Sequence, residues 1–231
     1  MQSIHQKGMT LIELTVVLLI LIALAGLAIP YVGGTNRMAL CQATDASMQA
    51  IKTAIMGGGA NTGFYMDTLG YYPQNTPDKQ DHNDYDLRYL FEPTGFKSTY
   101  NPKTAVGWRG PYLMSGGKVP AGLDNSFKNI YDPGTVTGNV VHTDITTTLG
   151  SRVLDAWGRP IIIQVPYSVA DSKYKPDYAR LVSAGAGNGM APGDAVIDTT
   201  IHDNQGASGR GDDRVLFLKM PDLSGNKPCN E

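Results

Sequence analysis

The sequence predicts an α+β fold: a long N-terminal α-helix, with a membrane-spanning half and an amphipathic half, packed on a small antiparallel β-sheet. Three observations lead there. Residues 14 to 29 are uncharged and apolar apart from one hydroxyl, the stretch from Thr35 to Met56 repeats its apolar residues at helical spacing, and the second half of the chain holds short apolar runs bounded by Gly, Pro or Asp. With 231 residues and 42% hydrophobic content, the chain can bury one sizeable core, so one globular domain with an appendage is expected. A formal charge of −2 gives no electrostatic reason to expect nucleic acid as a partner.

The appendage comes first. Met9 to Ile12 extend the apolar run to the roughly 20 residues that a membrane-spanning helix needs. A secretory signal peptide has a shorter apolar region and a small-residue cleavage site after it, whereas Pro30, Tyr31, Val32, Gly33 and Gly34 follow here. Lys7 precedes the run, which predicts a cytoplasmic N-terminus and an exported remainder. Glu13 interrupts the run, and a carboxylate at the centre of a membrane helix costs about 2.5–3.5 kcal/mol on insertion scales, less near an interface. It calls for a partner, or else it begins the helix near the headgroups, where the helix dipole favours an acid.

Lys7-Gly8-Met9-Thr10-Leu11-Ile12-Glu13-Leu14 resembles the leader junction of prepilins of the type IV pilin superfamily. The resemblance implies a leader at 1–8, a transmembrane and assembly helix at 9–30, and a periplasmic pilin-like domain at 31–231 that includes the second half of the long helix. It further implies cleavage between Gly8 and Met9 by a membrane prepilin peptidase and N-methylation of Met9, which stands where the family usually has Phe. Glu13 would then neutralise the new amine of a neighbouring subunit in a staggered bundle of parallel helices. In low dielectric a charge is tolerated only with its partner present, so such a pair gives register to an apolar seam. Pro30 matches a helix proline of pilins; on chemistry alone it removes one backbone hydrogen bond, and with Gly33 and Gly34 it predicts a kink or weak point.

Beyond this point Cys41, Met48, Ile51 and Ile55 share one helical face, and Gly57, Gly58 and Gly59 are expected to end the helix. Candidate strands are Pro160 to Val165, Tyr178 to Ser183 and Arg214 to Met220; Gly70 to Asn139 reads as connections. Three segments resemble the major pseudopilins of type II secretion systems: Tyr65-Met66-Asp67 with Tyr72-Pro73 and Leu87 to Glu92; the turn Leu154-Asp155-Ala156-Trp157-Gly158-Arg159-Pro160, with Ala156 for the usual Pro; and Tyr178 to Gly185 followed by Asp212-Asp213. The last looks like that family's calcium-binding strand and loop. It implies calcium as a cofactor with Leu181, Asn188, Asp212 and Asp213 as ligands, against which stands ordinary turn chemistry, since Asp, Asn and Gly are the usual turn residues. A lone Trp157 is more commonly a core anchor.

Cys41 and Cys229 both fall on the exported side, where disulfides are permitted. A bridge would tie the C-terminus to the helix; the alternative is a buried thiol and a mobile tail. Other motifs do not carry chemistry. Gly185-Ala186-Gly187-Asn188-Gly189 brings its third Gly one residue early for a dinucleotide fingerprint, and Pro192-Gly193 blocks the helix that should follow. His5, His82, His142 and His202 are dispersed, and Arg210-Gly211-Asp212 is a chance tripeptide in a Gly-rich loop. The expected function is therefore structural and not enzymatic: a homo-oligomeric, inner-membrane-anchored subunit of a periplasmic pseudopilus that drives type II protein secretion, with other pseudopilins and the inner-membrane secretion platform as partners. A type IV pilus pilin for adhesion or motility is the near alternative, and a membrane-tethered periplasmic binding protein the distant one.

Overall fold

A computed structural model describes residues 11–59, 62–73, 85–93, 99–114, 116, 153–168, 173–185, 210–222, 225–226 and 229, with backbone alone at 25–35, 167–168 and 173–174. The fold is α+β. Helix α1, Leu11–Met56, spans 46 residues, about 69 Å at 1.5 Å per residue. It runs without a break through Pro30, Gly33 and Gly34. Proline there deprives the ladder of a single donor, and the turns on either side carry the helix across. The stop is where the glycines predict it: Gly57 takes φ +86°, and its N–H donates to the carbonyl of Thr53 at 2.8 Å. That is the left-handed cap that glycine adopts without a Cβ penalty.

The second half of α1 buries one face. Cys41, Thr44, Met48, Ile51 and Ile55 are buried and recur at steps of three and four residues, so they form one stripe. Against it stands a three-stranded antiparallel sheet of β1 (Ile162–Gln164), β4 (Arg180–Ser183) and β5 (Arg214–Phe217), in the order β1-β4-β5. Ile163 faces Leu181 and Leu181 faces Leu216, so these three lie on one side of the pleat, the side that joins the helix core. Phe64, Tyr72, Tyr89 and Leu90 close that core from the segment after α1. On the opposite side Gln164, Arg180 and Phe217 are also buried, and Arg180 Nε donates to Gln164 Oε1 at 3.0 Å.

The strands are shorter than the sequence predicts. Pro160 and Pro166 bracket β1 and supply no ladder donor, and Gly185 ends β4 with φ +63°. After β5 the chain turns so that the N–H of Leu218 reaches the carbonyl of Ala179. A second hairpin of β2 (Tyr167–Ser168) and β3 (Lys173–Tyr174) was not predicted; two residues per strand leave no alternation to detect. Short helix α2 (Phe64–Asp67) and a 3-10 turn at Leu87–Leu90 follow α1 in the chain.

Ile55 is fully buried in the core that α1 shares with the sheet. Ile55→Ala should destabilise the domain by about 2–5 kcal/mol through lost burial and a residual cavity. Urea unfolding of wild type and variant checks this; a difference below about 1 kcal/mol would place the core elsewhere.

Candidate functional site

Two regions carry the candidate residues: the free end of α1 and the junction of helix, turn and sheet. At the free end, Glu13 stands in the first turn of α1. Around it the apolar side chains are outside the domain, with Leu11 82%, Ile12 70% and Leu14 51% exposed, and the exposed apolar series continues to Leu24. Contiguous apolar surface of this kind marks a surface built for contact rather than for water. Among the described residues, no helix is long and apolar enough to cross a membrane. The exposed apolar series from Leu11 to Leu24 covers about 21 Å, against the roughly 30 Å of a bilayer core. Gly8 and Met9 lie outside the described residues, and Pro30 is described in backbone alone.

At the junction, Asp155 organises the turn that precedes β1. Its Oδ1 accepts from the N–H groups of Trp157 at 2.9 Å and Arg159 at 2.8 Å, and its Oδ2 from Ser183 Oγ at 2.7 Å. The N–H of Ala156 donates to Thr44 Oγ1 at 3.0 Å, which fastens the turn to α1. Arg159, itself buried, donates to the carbonyls of Gly185 at 2.8 Å and Ala184 at 3.3 Å. One buried carboxylate and one buried guanidinium thus join α1, the turn and the end of β4. Burial pushes the Asp155 carboxyl above its ordinary value, and the hydrogen bonds from Arg159 and Ser183 offset part of that push.

The proposed calcium ligands are only partly brought together. Asp212 and Asp213 reach the end of β4: a Cβ on Gly185 would collide with the carbonyl oxygen of Asp212, so only glycine permits that approach. Asp213 is buried, and Asp212 is half-buried. Leu181 sits inside the ladder opposite Leu216, and Asn188 lies outside the described residues. A pair of adjacent carboxylates suits a hard cation, while the carbonyls of Ala184 and Gly185 are engaged by Arg159. The four histidines also lie outside the described residues.

Cys41 and Cys229 form a disulfide between α1 and the C-terminal segment. Beside it Arg214 clasps Asp45 of α1 with two hydrogen bonds. Cys41, Asp45 and Cys229 are the kind of cluster that holds a metal, but both sulfurs are spent in the bridge. Arg210 is turned inward onto Asp222 at 2.6 and 2.9 Å, which removes it from display as an adhesion tripeptide.

Sequence reasoning missed a third cluster. Asp67, buried, accepts from Arg109 Nη2 at 2.7 Å and Tyr112 OH at 2.8 Å. Of these, Arg109 and Tyr112 border a groove of about 590 Å³ whose other wall is Ala50, Thr53 and Ala54 of α1. Arg109 and Asp67 neutralise one another, so their pairing leaves no net charge for a ligand at that wall. The separation of these residues in the chain left no motif to read. No protein-family model, curated protein or solved structure matches this chain.

The raised Asp155 value fixes a sign. A carboxyl whose folded pKa lies above its unfolded one stabilises the fold below the unfolded value and loses that contribution as pH rises through the folded one. Starting near the ordinary 3.8 and moving upward, wild type should therefore lose stability relative to Asp155→Asn, which keeps the shape without titrating. Paired urea titrations across the acid range check this; a difference that runs the other way would show the carboxylate to be the favoured form.

Proposed function

We propose that this chain is a structural subunit of a membrane-anchored filament of the type IV pilin and type II secretion class, with a pseudopilin of a periplasmic pseudopilus as the leading version. One observation carries the reading: a single helix of 46 residues whose far half is fastened into the domain while residues 11–24, opening with Glu13 in the first turn, stand exposed and are predominantly apolar. A tether for a soluble receptor gains nothing from a carboxylate in such a run, whereas a helical bundle gains register from it. The leader-like Lys7-Gly8-Met9 sequence supplies the amine that Glu13 would meet, after cleavage between Gly8 and Met9 and methylation of Met9. Under this reading the chain is α+β and pilin-like, single-pass in the inner membrane with its N-terminus cytoplasmic before processing, and homo-oligomeric.

Glu13→Ala should abolish assembly in cells that carry the processing peptidase while the domain keeps its wild-type melting temperature. Filament imaging and cross-linking read the first, and thermal unfolding the second. Filaments at wild-type abundance, or protein isolated with residues 1–8 still attached in such cells, would overturn the reading.

Calcium is part of the same proposal, held by Asp212 and Asp213. Bound there, it would supply the positive charge that lets two adjacent carboxylates share the end of β4. Millimolar calcium should raise the melting temperature of the full chain in detergent, and Asp213→Asn should cancel the rise. An unchanged melting temperature removes calcium from the proposal without touching the assembly reading.

A further inference from the structure

The bridge between Cys41 and Cys229 forms only after synthesis, so the chain first exists as a dithiol. Both sulfurs are positioned by contacts other than the bridge. Cys41 lies on the buried stripe of α1, whose grip on the sheet core comes from Met48, Ile51 and Ile55. Cys229 follows a segment that is fastened at Asn226. The N–H of Val215 donates to Asn226 Oδ1 at 2.9 Å, and Asn226 Nδ2 donates to the carbonyl of Val215 at 2.9 Å. Arg210 Nη1 donates to the same Oδ1 at 3.0 Å, and Arg210 is clamped by Asp222.

A third donor stands beside the sulfurs. One ligand atom from each of Cys41, Asp45 and Cys229 lies within 4.8 Å of the others, and Asp45 Oδ2 is 4.0 Å from Cys229 Sγ. A tetrahedral zinc ion, with bonds of about 2.3 Å to sulfur and about 2.1 Å to oxygen, sets those two atoms about 3.6 Å apart and two sulfurs about 3.8 Å apart. Cα atoms 5.6 Å apart can present that sulfur pair by side-chain rotation alone. Arg214 Nε donates to Asp45 Oδ1 at 3.0 Å, and Nη2 to Oδ2. A carboxylate has about four lone-pair sites, so Oδ2 can take an ion while Oδ1 stays on Arg214, which orients it. Charge selects the ion. Two thiolates and a carboxylate are balanced by one divalent cation together with the Arg214 guanidinium, and with the bridge closed Asp45 and Arg214 balance by themselves. The half-buried cluster is neutral in both states, and thiolates favour zinc over the hard cations calcium and magnesium.

We propose that Cys41, Asp45 and Cys229 form a zinc site in the dithiol chain, with water as the fourth ligand, and that the disulfide replaces the ion when the bridge closes. The exchange balances. The two thiolates give up two electrons and become the Cys41–Cys229 bond, a disulfide oxidant takes those electrons with two protons and leaves as two thiols, and zinc departs still divalent. Until then the ion keeps either sulfur from bridging to another chain. The inference does not rest on the filament reading.

The test uses the full chain in detergent, reduced by a phosphine in the absence of oxygen, with zinc or cobalt alone as the probe. One equivalent of zinc should bind and raise the melting temperature, and the oxidised chain should show neither effect. Cobalt in its place should give thiolate-to-metal charge-transfer absorption and the intense visible bands of a four-coordinate ion. Asp45→Asn should weaken zinc by about tenfold or more, and Asp45→His, which returns a zinc ligand without restoring the Arg214 pair, should recover it. A small disulfide added to the zinc-loaded chain should release one zinc for each bridge formed. Zinc bound without a rise in melting temperature overturns the site, because unfolded thiols also take zinc. A reduced chain with no folding transition, with zinc or without, overturns it as well. Unchanged affinity in Asp45→Asn, or a loss that Asp45→His leaves in place, overturns the carboxylate as a ligand.

Discussion

The contact between one face of α1 and one face of a three-stranded sheet is the constraint from which the rest of this domain follows. Strands of three and four residues cannot hold a sheet together by their own ladder. They persist here because Ile163, Leu181 and Leu216 belong to the same apolar core as the stripe of Met48, Ile51 and Ile55. The register of the sheet is thereby fixed from outside. A slip of one residue would turn Leu181 away from the helix and bring Arg180 into the core.

Polar ties are placed where that apolar contact ends. Thr44 is one turn before Met48, and it accepts the N–H of Ala156 from the Asp155 turn. Asp155 then reaches Ser183 at the end of β4, and Arg159 reaches Gly185. Lys52 caps the carbonyl of Phe217 at the far edge. Each tie satisfies a main-chain or buried polar group that would otherwise cost about 1–3 kcal/mol, so the frame is closed electrostatically as well as sterically.

The helix and its end were legible because their signals are local. Steps of seven, three and four from Cys41 through Met48 and Ile51 to Ile55, followed by three glycines, are read within a few turns, and the structure ends α1 at Met56. The bridge from Cys41 to Cys229 was legible as an expectation because only two cysteines exist. The three strands of the main sheet were readable and their lengths were not, since Pro166 and the left-handed Gly185 cut off runs that hydropathy alone would extend, and the two-residue strands β2 and β3 were not readable at all. The Asp67, Arg109 and Tyr112 cluster, and Asn226 on Val215, left no trace in the sequence. Their partners are brought together only by tertiary folding, and a lone Asn in a polar C-terminal segment looks like any turn residue.

The order of ties along α1 has a mechanical meaning if subunits are held together by the apolar ends of their helices, as proposed above. Force would then enter the domain along α1 from its N-terminal side and meet the attachments in sequence. Cys41 is the first of them, then Thr44 and Asp45, then the apolar stripe to Ile55. Noncovalent contacts loaded one at a time peel in turn, while a covalent bond at the leading position shares the load with everything behind it. Because the Cys229 sulfur lies 4.0 Å from Asp45 Oδ2, and Asp45 is clasped by Arg214 of β5, that first attachment also stands beside the sheet. The single disulfide thus stands where a helix pulled from its free end would begin to leave its domain.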